Sequence, residues 1–242
     1  MGKVASSTIE NSLSKQFKIT HTHSLFKNYI TGEQFNLNNP IKKRDHKFIM
    51  GKMISIYLKK IKRDVKIITL VRDPIARNIS MFFQDLHLLL NDEFTGNART
   101  EYQTGNFFEY FFHKKINHFY FNEWFDKELL KALDINIYNY SFDKEAGYKI
   151  IKKDNISILI IKVEKLNQLE NEIKKFTGYS DFELVRTNSA NRKWYSEIYK
   201  NFKNNVKFDE NLINKIYTTK FVKHFYSENE IKKFKNRWQI ND

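Results

Sequence analysis

Seven consecutive residues, Val65 to Val71 (VKIITLV), are aliphatic or β-branched at every position but one, and Arg72-Asp73-Pro74 follows them directly. A run so uniformly apolar describes a strand covered on both faces, the usual situation in a parallel sheet flanked by helices. Pro74 suits the first turn of a helix, where its missing N–H is not needed, and Asp73 before it can accept the free N–H groups of that turn. The segment predicts a strand over 65–71 that runs into a helix from Pro74 to about Leu90.

The same pattern recurs once. Ile156 to Val163 (ISILIIKV) reads as a second buried strand, followed by a helix from about Glu164 to Phe176. Near the start, a turn from Gly2 to Ser7 leads into a helix through about Gln16 and then a short strand, Phe17 to His21. His46 to Lys62 reads as helix, the aromatic-rich stretch Thr95 to Tyr140 mainly as helix, and the charged stretch Arg192 to Trp238 as helix. Strands alternating with helices imply a parallel sheet. With two prolines, seven glycines, no linker and no repeat, residues 1–242 read as one α/β domain: a central parallel sheet flanked by helices, with a helical middle and a helical C-terminus.

Composition narrows the function. The absence of Cys excludes a disulfide framework and a thiolate metal site. No apolar run approaches the roughly 20 residues that span a bilayer, and MGKVASSTIENSLSK lacks the apolar core of a signal peptide, so a cytoplasmic protein without a membrane span is expected. The net charge of +14 points to an anionic partner, although eight Arg against 34 Lys, with abundant Asn, Ile and Phe, also fits compositional drift toward AT-rich codons.

Two segments look built to hold anions. Gly2-Lys3-Val4-Ala5-Ser6-Ser7-Thr8 opens onto a helix, combining a tight turn, an ammonium group, hydroxyls and the positive end of a helix dipole. It is not a Walker A loop, in which the lysine directly precedes the hydroxyl residue. Arg72 to Ser80 (RDPIARNIS) lies at the carboxyl end of the first strand, where ligands bind in open α/β sheets. Arg72 and Ser80 can both face one phosphate there. Arg77 reads equally as a second anion contact or as an ion pair with Asp73.

In this order, GKVASST and then LVRDPIARNIS resemble the PAPS-dependent sulfotransferases, in particular the carbohydrate branch and its bacterial members linked to capsular polysaccharide synthesis. Weaker similarity runs through WFDKE at Trp124 to Glu128, IIKVEKL at Ile160 to Leu166, and HFYSENEIKKFKNRW near the C-terminus. The resemblance implies a P-loop-NTPase-like fold and transfer of a sulfuryl group from PAPS (3′-phosphoadenylyl sulfate) to a glycan hydroxyl, without nucleic acid or metal. It assigns Lys3, Ser6, Ser7 and Thr8 to the 5′ end of PAPS, with Lys3 also neutralising charge on the leaving PAP. Arg72 and Ser80 fall to the 3′-phosphate, and Arg192 and Lys193 to a late PAPS contact. That family carries a buried strand directly before the first loop, so the resemblance places such a strand upstream of Met1.

His21-Thr22-His23 reads on its residues alone as structural histidines, as a general base or as part of a zinc site. Similar sulfotransferases of the uronyl type carry a His-x-His here that includes their base, which favours His23 over His21. Glu123, Asp126, Glu128 and Glu164 read as solvated or ion-paired carboxylates, with Glu164 at a strand end that can face the site. Phe107 to Phe112 reads as core or cleft wall. Two rivals stand beside this reading: a nucleotide-dependent kinase, which wants a Walker lysine and a magnesium carboxylate, and a non-catalytic binder of polyanions.

Overall fold

The computed structural model describes residues 1–2, 4–22, 24–25, 46–93, 105–185 and 194–240. It opens with α1 (Ser6–Leu13), shorter than predicted, which buries Ile9, Ser12 and Leu13. Then comes α2 (His46–Leu58). Gly51 sits where α2 crosses the segment before it: a Cβ there would stand 1.7 Å from the Ser24 carbonyl oxygen and 2.2 Å from Thr22 Oγ1. Only glycine permits that approach.

β1 (Val65–Val71) occupies the predicted strand residue for residue, and α3 (Pro74–Glu93) starts at the predicted proline. Asp73 caps it, accepting from the N–H groups of Ile75 at 3.4 Å and Ala76 at 3.3 Å. The aromatic middle holds α4 (Gly105–Lys115), a 3₁₀ turn at Tyr120–Glu123, and a π turn at Asp126–Leu130 that runs into α5 (Lys131–Leu133). Next come β2 (Tyr148–Lys153) and β3 (Ile156–Lys162), a 3₁₀ stretch at Val163–Gln168 and α6 (Glu170–Thr177). The C-terminal part is α7 (Ser196–Asn205), α8 (Glu210–Tyr217), α9 (Lys220–Phe225) and α10 (Glu228–Trp238).

The central parallel sheet expected from the sequence is not what forms. The described residues hold one three-stranded mixed sheet, in the order β1-β3-β2. β1 and β3 run parallel, from Val65 opposite Ile156 to Val71 opposite Lys162, whereas β2 is antiparallel to β3, from Tyr148 opposite Ile161 to Lys153 opposite Ile156. A P-loop-like core is therefore ruled out for this part of the chain. The reason lies in the supply of strands. Only VKIITLV and ISILIIK are apolar enough to be covered on both faces, and a parallel sheet needs several such strands.

β2 was not anticipated, because YKIIKK carries three lysines and resembles a charged edge strand, which it is. It joins β3 through Asp154-Asn155, a two-residue turn with Asp154 at φ 53°. The predicted strand Phe17–His21 joins no sheet among the described residues. It has one aliphatic residue, Ile19, among polar neighbours and runs as irregular chain.

The core is a single cluster dominated by Phe and Ile. α7 packs on α3 through Phe202, whose ring lies 6.0 Å from Phe82 and 5.3 Å from Phe83, and α4 joins through Phe112, 5.4 Å from both Phe82 and Phe202. Phe108 and Phe112 are buried, so the aromatic helix is core at these positions. Among the described residues no helix is long and apolar enough to cross a membrane.

Candidate functional site

The two anion-type segments meet. Arg77 on α3 donates from Nε to the Gly2 carbonyl at 3.3 Å and from a terminal nitrogen to Asn78 Oδ1 at 2.9 Å, and its guanidinium lies 4.9 Å over the Tyr120 ring. It is 1% exposed, and burial lowers its pKa to about 10. The arginine that the sequence left open between anion contact and ion pair thus serves as a tie from α3 to the first loop. Val4, 1% exposed, pins the same loop to the core.

Beyond Val4, Ala5 takes the left-handed conformation, φ 58° and ψ 21°, and α1 begins at Ser6 with no side-chain cap. An α1 N-terminus without a side-chain acceptor, entered through a left-handed residue, directs backbone N–H groups into a concave turn suited to an anion. Ser6 and Thr8 are half-buried and Ser7 is exposed at this end.

At the carboxyl end of β1, Asp73 is the hub of a buried network. Besides capping α3, its carboxylate accepts from Tyr217 Oη at 2.6 Å and Trp238 Nε1 at 2.9 Å. Its own N–H donates to Glu164 at 2.8 Å, and Tyr226 Oη donates to the other oxygen of Glu164 at 3.3 Å. Burial pushes the pKa of both carboxyls up. Glu164, which the sequence reads as a solvated or ion-paired carboxylate able to face the site edge, is buried and holds this turn.

Arg72, one residue before the hub, is half-buried. Two cations missed by the sequence reading join it. Arg237 stacks 4.5 Å over the ring of Trp238, the residue bonded to Asp73. Lys203, next to the Phe202 that packs on α3, stands 5.9 Å from the Tyr199 ring centre. Burial lowers the Lys203 pKa, and the charges of Arg72 and Arg237 push in the same direction. Like charges gathered from β1, α7 and α10 favour a bound anion. Ser80 is half-buried two turns into α3. Nothing local in the sequence joins Lys203 or Arg237 to Arg72, because they lie over 130 residues away.

His21 Nδ1 and Glu10 Oε2 are 2.7 Å apart, joining the first loop's helix to the segment after it. Both line a cavity of about 750 Å³ that runs along β1 and is bordered also by Ser6, Trp124 and Leu58. The indole N–H of Trp124 is buried there with no hydrogen-bond partner among the described residues. Glu10 was not singled out in the sequence.

Among the other acidic candidates, Glu123 pairs with Lys127 at 2.6 Å and Asp126 with Lys220 at 3.9 Å. Glu128 is buried and accepts from Ser24 Oγ at 2.8 Å and from the Leu25 N–H at 2.5 Å. These are structural ties. Lys3, His23, Arg192 and Lys193 lie outside the described residues.

The model of the NKWYS family, described as "putative capsular polysaccharide synthesis protein", matches residues 100–227, more than half of the chain. The chain belongs to this family. Four of the five letters of the family's short name, K-W-Y-S, recur at Lys193-Trp194-Tyr195-Ser196. The family match takes in Trp124, Glu164, Lys203 and Tyr217 and leaves both anion loops and His21 outside it. No curated protein and no solved structure matches the chain.

Proposed function

We propose that this family member is a sulfotransferase that moves the sulfuryl group of PAPS to a hydroxyl of a capsule-type glycan. The observation that carries the reading is the Arg77–Gly2 tie, which sets the uncapped start of α1 beside the Arg72 turn. Two anion sites side by side suit a donor with a phosphosulfate at one end and a 3′-phosphate at the other. Ser6, Ser7 and Thr8 with the α1 N–H groups take the first, and the resemblance adds Lys3. Arg72 and Ser80 take the second, joined by Lys203.

The acceptor enters the cavity beside β1, where Trp124 offers a donor to a sugar hydroxyl. His21, oriented by Glu10, removes the hydroxyl proton as the acceptor oxygen bonds to sulfur. The bond from sulfur to the phosphate oxygen breaks, and PAP departs with its electron pair. Positioning and charge stabilisation of this kind supply most of the rate in such displacements. Among the described residues no group of three or more His, Asp or Glu side chains is arranged to hold a metal ion, and the scheme uses none.

Calorimetry with PAP tests the reading. PAP is expected to bind in preference to ATP, and Arg72→Ala should weaken it roughly ten- to a hundredfold, the loss of about 1.5–3 kcal/mol attached to a hydrogen bond with a charged group. His21→Ala should leave PAP affinity within twofold and abolish sulfate transfer from labelled PAPS. Binding of ATP instead of PAP would support the kinase. Steeply salt-dependent binding without nucleotide preference would support the polyanion binder.

A further inference from the structure

One side of α2 (His46–Leu58) is apolar and faces solvent. Met50, Met53, Ile56 and Tyr57 are 44%, 58%, 50% and 52% exposed. At 100° per residue these four occupy one continuous arc, opposite the buried arc of Gly51, Ser55 and Leu58 that packs inward. A contiguous exposed apolar helix face marks a surface that packs against another apolar phase. Basic residues border the exposed arc: Lys52 and Lys59 lie along its edge, Lys60 within it, and Lys62 and Arg63 directly after, all exposed. The side chain of Asn155 donates to the carbonyls of Ile61 and Arg63 at 3.0 and 2.8 Å, fixing this basic turn to the β2–β3 hairpin.

We propose that this face of α2 docks on an anionic lipid surface, with Met50, Met53, Ile56 and Tyr57 entering the interface and the flanking Lys and Arg contacting acidic headgroups. Apolar side chains framed by cations match the two layers of such a surface, acyl chains beneath negative headgroups. A polyanionic glycan would account for the lysines but would leave the methionines and Ile56 without a partner. The chain's net charge of +14 adds long-range attraction to the same surface.

The absence of Cys permits a clean test. Met53→Cys carries a polarity-sensitive dye at the centre of the stripe, and Asn229→Cys carries it at an exposed site on α10 as control. With vesicles of four parts phosphatidylcholine to one part phosphatidylglycerol, the dye at residue 53 should shift to the blue, the control should not, and neutral vesicles should produce at least tenfold weaker binding. In the unlabelled full chain, Ile56→Asp with Met53→Asp, and separately Lys59→Glu with Lys60→Glu and Lys62→Glu, should each weaken vesicle co-sedimentation by tenfold or more while circular dichroism stays unchanged. Three results would each overturn the proposal: no shift on anionic vesicles, binding that survives both sets of substitutions, or a lipid-independent shift that tracks dimer formation in ultracentrifugation. None of these measurements involves PAPS.

Discussion

Single buried groups set the pH response. His118 is 7% exposed, packed among Phe112, His113 and Phe208. Burial, and secondarily the charge of His113, depresses its pKa from 6.5 to about 4. The folded chain keeps this imidazole neutral at a pH where the unfolded chain protonates it. Its contribution is therefore intact above about pH 6.5 and is lost as pH falls toward 4, a total of roughly 3 kcal/mol. Urea unfolding of His118→Phe should show a smaller loss of stability between pH 7 and pH 5 than the parent, by about 2 kcal/mol. Equal losses would mean that His118 is already protonated or solvated when folded. The Asn78 side chain bonds the carbonyl of His118, not its ring, so that tie survives the substitution. The sequence showed the histidine but not its burial, since His118 follows the polar stretch His113-Lys114-Lys115 and Asn117, interrupted only by Ile116.

At the level of elements, what was legible was what neighbours decide. The strand Val65–Val71, the helix start at Pro74 and the Asp73 cap came directly from adjacent residues. The rest of what Asp73 does came from Tyr217 and Trp238, 144 and 165 residues further along. Asp73→Ala should cost about 3–4 kcal/mol, one part for the cap and the larger part for leaving the Tyr217 and Trp238 donors buried and unpaired. Asp73→Asn retains one acceptor oxygen and should cost less than half as much, read from denaturant midpoints. Near-equal costs would show that the charge, not the bonding geometry, holds the turn. β2 escaped the sequence reading because hydrogen bonding to one partner, β3, makes it a strand, while Lys152 is exposed and Lys149 and Lys153 are half-buried. Phe17–His21 differs for the opposite reason: an alternating pattern that meets no partner strand among the described residues makes no ladder there.

Across the whole molecule, the C-terminal helices lock the strand end in place. Trp238 is fully buried on Asp73, and Glu230 closes the α10 capping box while pairing at 2.6 Å with Lys162, which is wholly buried at the end of β3. A chain ending at Tyr226 would leave Lys162 as a buried charge without its carboxylate, a loss of about 3–5 kcal/mol, and would also remove Trp238. Such a chain should lose its cooperative thermal transition and PAP binding together; a sharp transition retained would mean that α10 is dispensable to the core. The sequence by itself determined the β1–α3 unit, its cap, the aromatic core and the two anion-suited segments, because each depends on residues within a turn or two of one another. Only the tertiary structure decided that the sheet of the described residues is a mixed one of three strands, that Arg77 ties α3 to Gly2, that His21 meets Glu10, and that Lys203 and Arg237 gather around Arg72. Those pairings depend on the path of the chain between distant residues, and that path is set by which few segments are apolar enough to be buried on both faces.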